Sequence, residues 1–298
     1  MRKQLKGSLT LLLATAIWGS TFIFQRLASD SIGPFTFQAT RCLLGALVLL
    51  PVIFLFDLKK RDGKNYFSRW ADKKLWLGGL LCGVPLFLAC NLQQIGIADT
   101  DAGKSAFLTA MYIVIVPLIG LLLKKKVTIA IPISVGLAVI GLYFLSCMGV
   151  STISISDLLL VGCAVMFAVQ ITFVDIFAGK VDPLRLNVTQ VLVCTVLSAI
   201  SAVCFKEEIT WQAVSGNWLP IAYAGILSMG AAYCMQILGQ RDVEPATASL
   251  IMSMEAVFAV LCGVIFLEET MTKWEIIGCC FMFISVILPQ IPLKSYRK

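Results

Sequence analysis

Residues 105–126 read SAFLTAMYIVIVPLIGLLLKKK. The nineteen residues from Ser105 to Leu123 carry no charge, and three lysines follow at once. Coiled as a helix at 1.5 Å per residue, they reach about 28 Å, close to the roughly 30 Å of a bilayer's hydrocarbon core. A basic cluster at the end of such a run belongs on the cytoplasmic side of a membrane. The rest of the chain repeats this pattern. Of its 298 residues 59% are hydrophobic and 14% charged, against roughly 45–50% and about 25% in ordinary globular proteins. Too few polar side chains remain to cover a soluble surface. The composition excludes an intrinsically disordered chain, a secreted disulfide scaffold and a soluble nucleic-acid binder.

Apolar runs between charges, Pro, Gly and Asn predict an all-α membrane protein with ten transmembrane helices. They fall at roughly 8–28, 34–56, 75–96, 103–123, 129–148, 156–178, 184–205, 217–238, 246–267 and 274–291. Helices are required because lipid offers no partner to open backbone groups, and the alternation of a transmembrane β-barrel is missing. Arg2, Lys3 and Lys6 before an apolar stretch containing Ala14-Thr15-Ala16 look like a cleavable signal. The apolar run continues through Trp18 to Phe24, so an uncleaved first span is expected.

With the amino terminus inside, the cytoplasmic segments hold 19 of the 24 Lys and Arg residues. The outer segments hold Arg26, Lys104, Lys206 and Lys273, and Arg41 lies within a span. This split predicts an even number of spans with both termini cytoplasmic. The net charge of +7 is then a membrane-sidedness signal, and no nucleic-acid partner is expected. Eleven cysteines sit in apolar segments without a Cys-x-x-Cys pair, and histidine is absent. Reduced, packing cysteines are expected, with no metal site and no cofactor.

An offset of 149 residues matches Leu11 with Leu160, Phe24 with Phe173, Pro34 with Pro183, Thr40 with Thr189 and Leu43 with Leu192. After the basic loop Asp57 to Lys74 the offset becomes 143, matching Gln93 with Gln236, Gly96 with Gly239, Met111 with Met254 and Gly120 with Gly263. Residues 1–150 and 151–298 are thus expected to form two repeats of five spans each. Five is odd, so the second repeat enters the membrane from the opposite side. Inverted halves flanking a central site, rocking against each other, are a common architecture of secondary transporters, although fold alone does not assign function.

Trp18-Gly19-Ser20-Thr21-Phe22 followed by Arg41, and the stretch from Glu255-Ala256-Val257 through Phe266-Leu267-Glu268-Glu269-Thr270-Met271-Thr272 to Gly278, resemble the ten-helix EamA-type branch of the drug/metabolite transporter superfamily. The resemblance covers essentially the whole chain. It implies transport of small metabolites across a bacterial inner membrane, through a cavity lined by the first four spans of each half, with the fifth and tenth spans peripheral. Two positions depart from the family pattern. Ala256 stands where proline is usual, which leaves the bend of the ninth span open. Lys125 stands where the first repeat usually has the counterpart of Glu269, which leaves a symmetric gate open.

Charge at membrane depth costs about 2.5–3.5 kcal/mol per residue on insertion scales, so such residues face a cavity or a partner. Arg41, Asp175 and Glu255 are the charged residues lying clearly within spans. Glu255 falls about 14 Å into its span, close to the midplane. Two readings stay open for it: a carboxylate that binds a substrate ammonium or carries a proton, and a structural ion pair with Arg41. Arg41 in turn suits either a substrate carboxylate or helix anchoring. Asp175, near its helix end, is expected to reach cytoplasmic water. Trp18, Thr21 and Gln25 share one helical stripe, and Met166 and Gln170 another. Gln93 and Gln236 are repeat mates, with Asn91 and Tyr233 nearby, and Tyr112 is the mate of Glu255. The candidate cavity residues are therefore Trp18, Thr21, Gln25, Arg41, Gln93, Tyr112, Gln170, Tyr233, Gln236 and Glu255, with Glu255 carrying proton or charge coupling. Each polar residue serves equally well as interhelical glue. Gly79 and Gly83 fit a small-xxx-small packing pattern.

No catalytic constellation is visible: metalloprotease and Gly-x-Ser-x-Gly motifs are absent. Ala98 to Ser105 ends in Gly103-Lys104-Ser105 but lacks the first glycine of a phosphate loop and falls on the outer face. The chain reads as a non-enzymatic secondary carrier for a small polar or amphiphilic metabolite such as an amino acid, in the direction of export. An importer or multidrug exporter of the same fold is one alternative, and a membrane enzyme or non-transporting scaffold another. The expected partners are a small-molecule substrate and the lipid bilayer, with a homodimer through the peripheral spans left open.

Overall fold

A computed structural model describes residues 2–58, 66–100, 102–125, 128–146, 154–267 and 271–290. Lys59, Lys60, Arg61, Lys64, Lys126 and the basic carboxy-terminal residues of the charge count lie outside these, as do Glu268, Glu269 and Thr270 of the family signature. Among the described residues the secondary structure is helical, without strands. Nine helices among the described residues are long and apolar enough to cross a membrane, and the shorter apolar helix Ala130–Leu145 stands at the position of the fifth span. The ten cysteines described are all free thiols.

Most spans begin where local chemistry can satisfy the open amides of a first helical turn. Ser154 and Asp157 form a reciprocal capping box before the sixth span, and Thr272 and Glu275 do the same before the tenth. Asp182 caps the seventh span, whose first residue is Pro183, a residue with no amide to satisfy there. The second span, Pro34–Leu58, is capped from a distance. Glu207, beyond the end of the seventh span, accepts from the amides of Phe35 and Thr36 at 2.9 and 2.8 Å. Its negative charge also complements the positive end of the helix dipole.

Three spans depart from the regular helices expected. The fourth divides into Ala102–Ala110 and Tyr112–Leu122, and the ninth into Pro245–Met252 and Glu255–Leu267. Both breaks tighten locally to i→i+3 bonding, from Val114 N to Met111 O and from Ala256 N to Ser253 O. They occur at the repeat mates Met111 and Met254. The ninth span thus bends although Ala256 is not proline, with the Ser253 hydroxyl bonded back to Leu250 O at 2.8 Å. The eighth span widens into a π-type winding over Tyr223–Ala232 before resuming as Tyr233–Gln240. Asn187 satisfies carbonyls of that segment, donating to Met229 O at 2.8 Å and Gly230 O at 3.1 Å.

The spans pack in an order that interleaves the two halves. Around a ring, the second span neighbours the seventh, then come the third, sixth, fourth, ninth, first and eighth, which returns to the second. Successive members of the ring alternate between repeats. Exchanging each span for its mate five places along maps these contacts onto one another, as an approximate two-fold axis requires. The fifth and tenth spans pair beside the ring, where Gly141 and Gly278 meet so closely that a Cβ on Gly278 would lie 2.6 Å from the Gly141 carbonyl. Gly79 and Gly83 admit Thr189 and Gln190 of the seventh span against the third, the packing role their spacing predicts. Because ring neighbours come from different halves, the halves are not separate bundles.

Ion pairs join span ends that the alternating topology puts on one face. Lys104 meets Asp157 at 2.6 Å at one end of the fourth and sixth spans, and Lys125 meets Asp175 at 2.5 Å at the other. Arg185 bonds Asp57 and lies 3.4 Å from Asp182.

Candidate functional site

Within the ring lies a cavity lined by Trp18, Thr21, Gln25, Arg41, Gln93, Tyr112, Tyr233, Gln236 and Glu255 among others. Nine of the ten residues proposed from sequence therefore share one wall. Gln170, the tenth, stands one layer behind and is bonded to Gln236 in both directions at 3.0 and 3.4 Å. Neither the fifth nor the tenth span contributes to the lining.

Glu255 sits at the first turn of the restarted ninth span, as its mate Tyr112 does in the fourth. The two breaks face each other, and the Tyr112 hydroxyl donates to Glu255 Oε1 at 3.1 Å. A half-helix start offers open amides and a positive dipole end, which helps a carboxylate persist in a buried place. The other Glu255 oxygen has no hydrogen-bond partner among the described residues.

Arg41 enters from the second span and is 1% exposed. Its Nε donates to Gln38 Oε1 at 2.7 Å, and the guanidinium carbon stands 5.1 Å from the centre of the Phe37 ring. Among the described residues no ion pair joins Arg41 to Glu255, and neither terminal nitrogen of Arg41 has a hydrogen-bond partner. The ion-pair reading is not what the geometry gives: both charges line one cavity, each with an uncommitted edge.

Between the charges the wall is aromatic and sulfur-rich. The Trp18 ring lies 5.0 Å from that of Tyr233, and its indole N–H is buried without a partner among the described residues. Tyr112 meets Phe167 edge-on at 6.4 Å, and the Tyr233 hydroxyl lies 3.6 Å from Cys90 Sγ. Phe22, Cys90, Phe167, Ile171, Ser228, Met229 and Met252 also line the cavity and were not foreseen. Two of them were available from the repeat as mates of candidate residues: Phe167 follows Trp18 by 149 residues, and Cys90 precedes Tyr233 by 143. Ser228 and Met229 reach the cavity through the π-type winding, which left no mark in the apolar pattern.

Amide networks lie toward the two ends. Toward the end holding Lys104, Gln25 donates to Gln93 and Gln94, each at 3.1 Å, and Arg26 bonds the carbonyls of Ile97 and Ala98. Toward the end holding Lys125, Gln170 bonds Gln236 and, at 3.2 Å, Gln190. Gln93 and Gln236, one in each network, are repeat mates. Beyond the second network Gln240 donates to the carbonyl of Ile171 at 3.0 Å and borders a vestibule that also takes in Lys125, Asp175, Arg241 and Glu244. Asp175 is thus a vestibule residue, paired there with Lys125. Asn91 is glue, bonding Ser198 Oγ at 3.0 Å, and Met166 is not part of the lining.

The profile of the EamA-like transporter family matches residues 5–147 and again residues 154–289. The protein belongs to this family, and with its apolar helices it is a multi-pass membrane transporter. More particularly, it is similar to an uncharacterized transporter of Archaeoglobus fulgidus, 30% identical over 97% of this chain and 87% of that one. It is also similar to the uncharacterized transporters YoaV and YwfM of Bacillus subtilis, at 22% and 25% identity over 95% and 94% of the chain and 97% and 92% of theirs. A solved crystal structure aligns with a TM-score of 0.78 at 18% identity, covering 95% of this chain and 96% of the other, a likeness of fold alone.

Proposed function

We propose that the protein is a secondary carrier for a small polar or amphiphilic metabolite bearing both charges, an amino acid in the simplest case. The observation that carries this reading is the pair Arg41 and Glu255, buried on one cavity yet not bonded to each other. A zwitterion completes both: its carboxylate fits the two-nitrogen edge of the guanidinium, and its ammonium the open oxygen of Glu255. Aromatic and sulfur groups between them suit the remaining, less polar part of the solute.

The carrier works by alternating access in a bacterial plasma membrane, with both termini in the cytoplasm and transport in the direction of export. The distribution of Lys and Arg supports the orientation. The vestibule beside Lys125 and Asp175 then lies on the cytoplasmic side and supports loading from within. The glutamine networks serve as the two seals, broken in turn. Side-chain hydrogen bonds between membrane helices average about 0.6 kcal/mol, so breaking one set is a small cost for a conformational step. Glu255 also carries proton coupling, and lipid and solute are the proposed partners.

Counterflow in proteoliposomes tests the assignment, with amino acids, nucleosides and lipophilic cations as competing solute classes. Saturable exchange that favours zwitterions over the other classes is the expected result. Exchange of lipophilic cations without exchange of amino acids would replace this reading with that of a multidrug exporter.

A further inference from the structure

The terminal edge of Arg41 is uncommitted because Gln38 occupies the other side of the guanidinium. Gln38 is fully buried one helical turn before Arg41 and accepts from Nε at 2.7 Å. Arginine has no acceptor, so the amide oxygen of Gln38 must be the atom that faces it. The amide nitrogen is thereby turned away, toward Cys42 Sγ at 3.0 Å and Cys194 Sγ at 3.3 Å. Cys42 belongs to the same helix, but Cys194 comes from the seventh span, in the other repeat. Phe37 closes one face of the guanidinium. Five donors on a rigid plane are thus divided: one is spent on Gln38, and four remain on the two nitrogens beside the cavity.

We infer that Gln38 is a positioning residue which, held by the sulfur of Cys194, aims the two-nitrogen edge of Arg41 into the cavity and so makes the carrier select solutes that bear a carboxylate. The inference rests on the proposed role of Arg41 and adds to it the residue that sets its geometry. Without the Gln38 oxygen, Nε needs another acceptor, and the guanidinium turns to find one. A charge of the same sign stays in the cavity, but the planar fit to a carboxylate is lost. A merely structural role for Gln38 would weaken every solute alike. A positioning role weakens only those that use the fork.

The test is counterflow in proteoliposomes with each of the twenty common amino acids and, for every one carried, its decarboxylated amine. Gln38→Met keeps the length of the side chain and removes both polar atoms. It is expected to raise the KM for the amino acid by about 10- to 100-fold, the range set by losing a charged hydrogen bond and its alignment. Vmax and the KM for the amine should stay within about twofold. In an Arg41→Met background, where amino-acid exchange is lost, the same substitution should leave the KM for the amine unchanged. Where Gln38→Met does not fold, Cys194→Val and Cys194→Ser serve instead. Serine keeps an acceptor for the Gln38 amide and should retain the preference, and valine should erode it. Amino-acid exchange by the wild type with the preference unchanged in Gln38→Met, or equally changed in Cys194→Val and Cys194→Ser, overturns the inference alone. Wild-type exchange of no amino acid overturns the proposed function and this inference with it.

Discussion

Glu255 has a phenol within hydrogen-bonding distance on one oxygen and an open cavity beside the other, and its nearest formal countercharge on the lining, Arg41, is not bonded to it. Such a carboxyl group is worth its insertion cost only if something else answers its charge. Glu255→Gln keeps the shape and is expected to insert and fold normally while losing transport, or losing the dependence of transport on pH. Wild-type flux at every pH, measured in proteoliposomes of matched protein content, would remove the assigned role. Tyr112→Phe deletes the hydroxyl that donates to Glu255. A hydrogen bond to a charged group is worth about 1.5–3 kcal/mol, so solute affinity is expected to shift by roughly tenfold or more, with the shift absent in a Glu255→Gln background. Additive effects in that double-mutant cycle would separate the two residues. Both positions were legible in the sequence, Glu255 because an acid stands out in an apolar run and Tyr112 because it is the repeat mate. Gln38 was not, because one glutamine among several buried in the same spans carries no mark of the arginine it holds.

At the scale of helices, the site depends on how closely the first span approaches the restarted ninth. Gly19 makes this contact: a Cβ there would lie 2.5 Å from Phe258 Cβ and 2.7 Å from the Glu255 carbonyl oxygen. Gly19→Ala should therefore push the two helices apart, at a cost of about 1–3 kcal/mol typical of overpacking. Thermal denaturation in detergent checks the stability, and solute affinity should fall with it because Glu255 moves. An unchanged melting temperature would show that the contact is not tight. The paired breaks in the fourth and ninth spans were only half legible. Met111 and Met254 carry no breaking propensity of their own, and the expected proline at 256 is absent. The bends come from tertiary packing of the two half-helix starts against each other and from the Ser253 back-bond, neither of which leaves a hydropathy signal. The π-type winding of the eighth span was hidden for the same reason.

Across the whole molecule, span number was readable because lipid imposes a length. The interleaving of the halves was not. Apolar helices reveal that they are buried or lipid-facing but not which neighbour they touch, and the ring follows from glycine contacts and ion pairs that act over long separations in sequence. The proposed sidedness makes its own prediction: Gln212→Cys should react with an impermeant maleimide added to intact cells, and Lys73→Cys only after permeabilisation, each above the background of the native cysteines. The reverse pattern would invert the carrier. The central claim is that one cavity within the eight-span ring binds a zwitterion between Arg41 and Glu255. The most direct measurement is counterflow of amino acids by purified wild-type protein in sealed proteoliposomes, beside Arg41→Met and Glu255→Gln. Saturable exchange by the wild type, lost in both variants and inhibited far more weakly by the corresponding amines and N-acetylated amino acids than by the amino acids themselves, is the predicted result. Exchange undiminished in either variant, or equal for zwitterion, amine and acetylated acid, would contradict it.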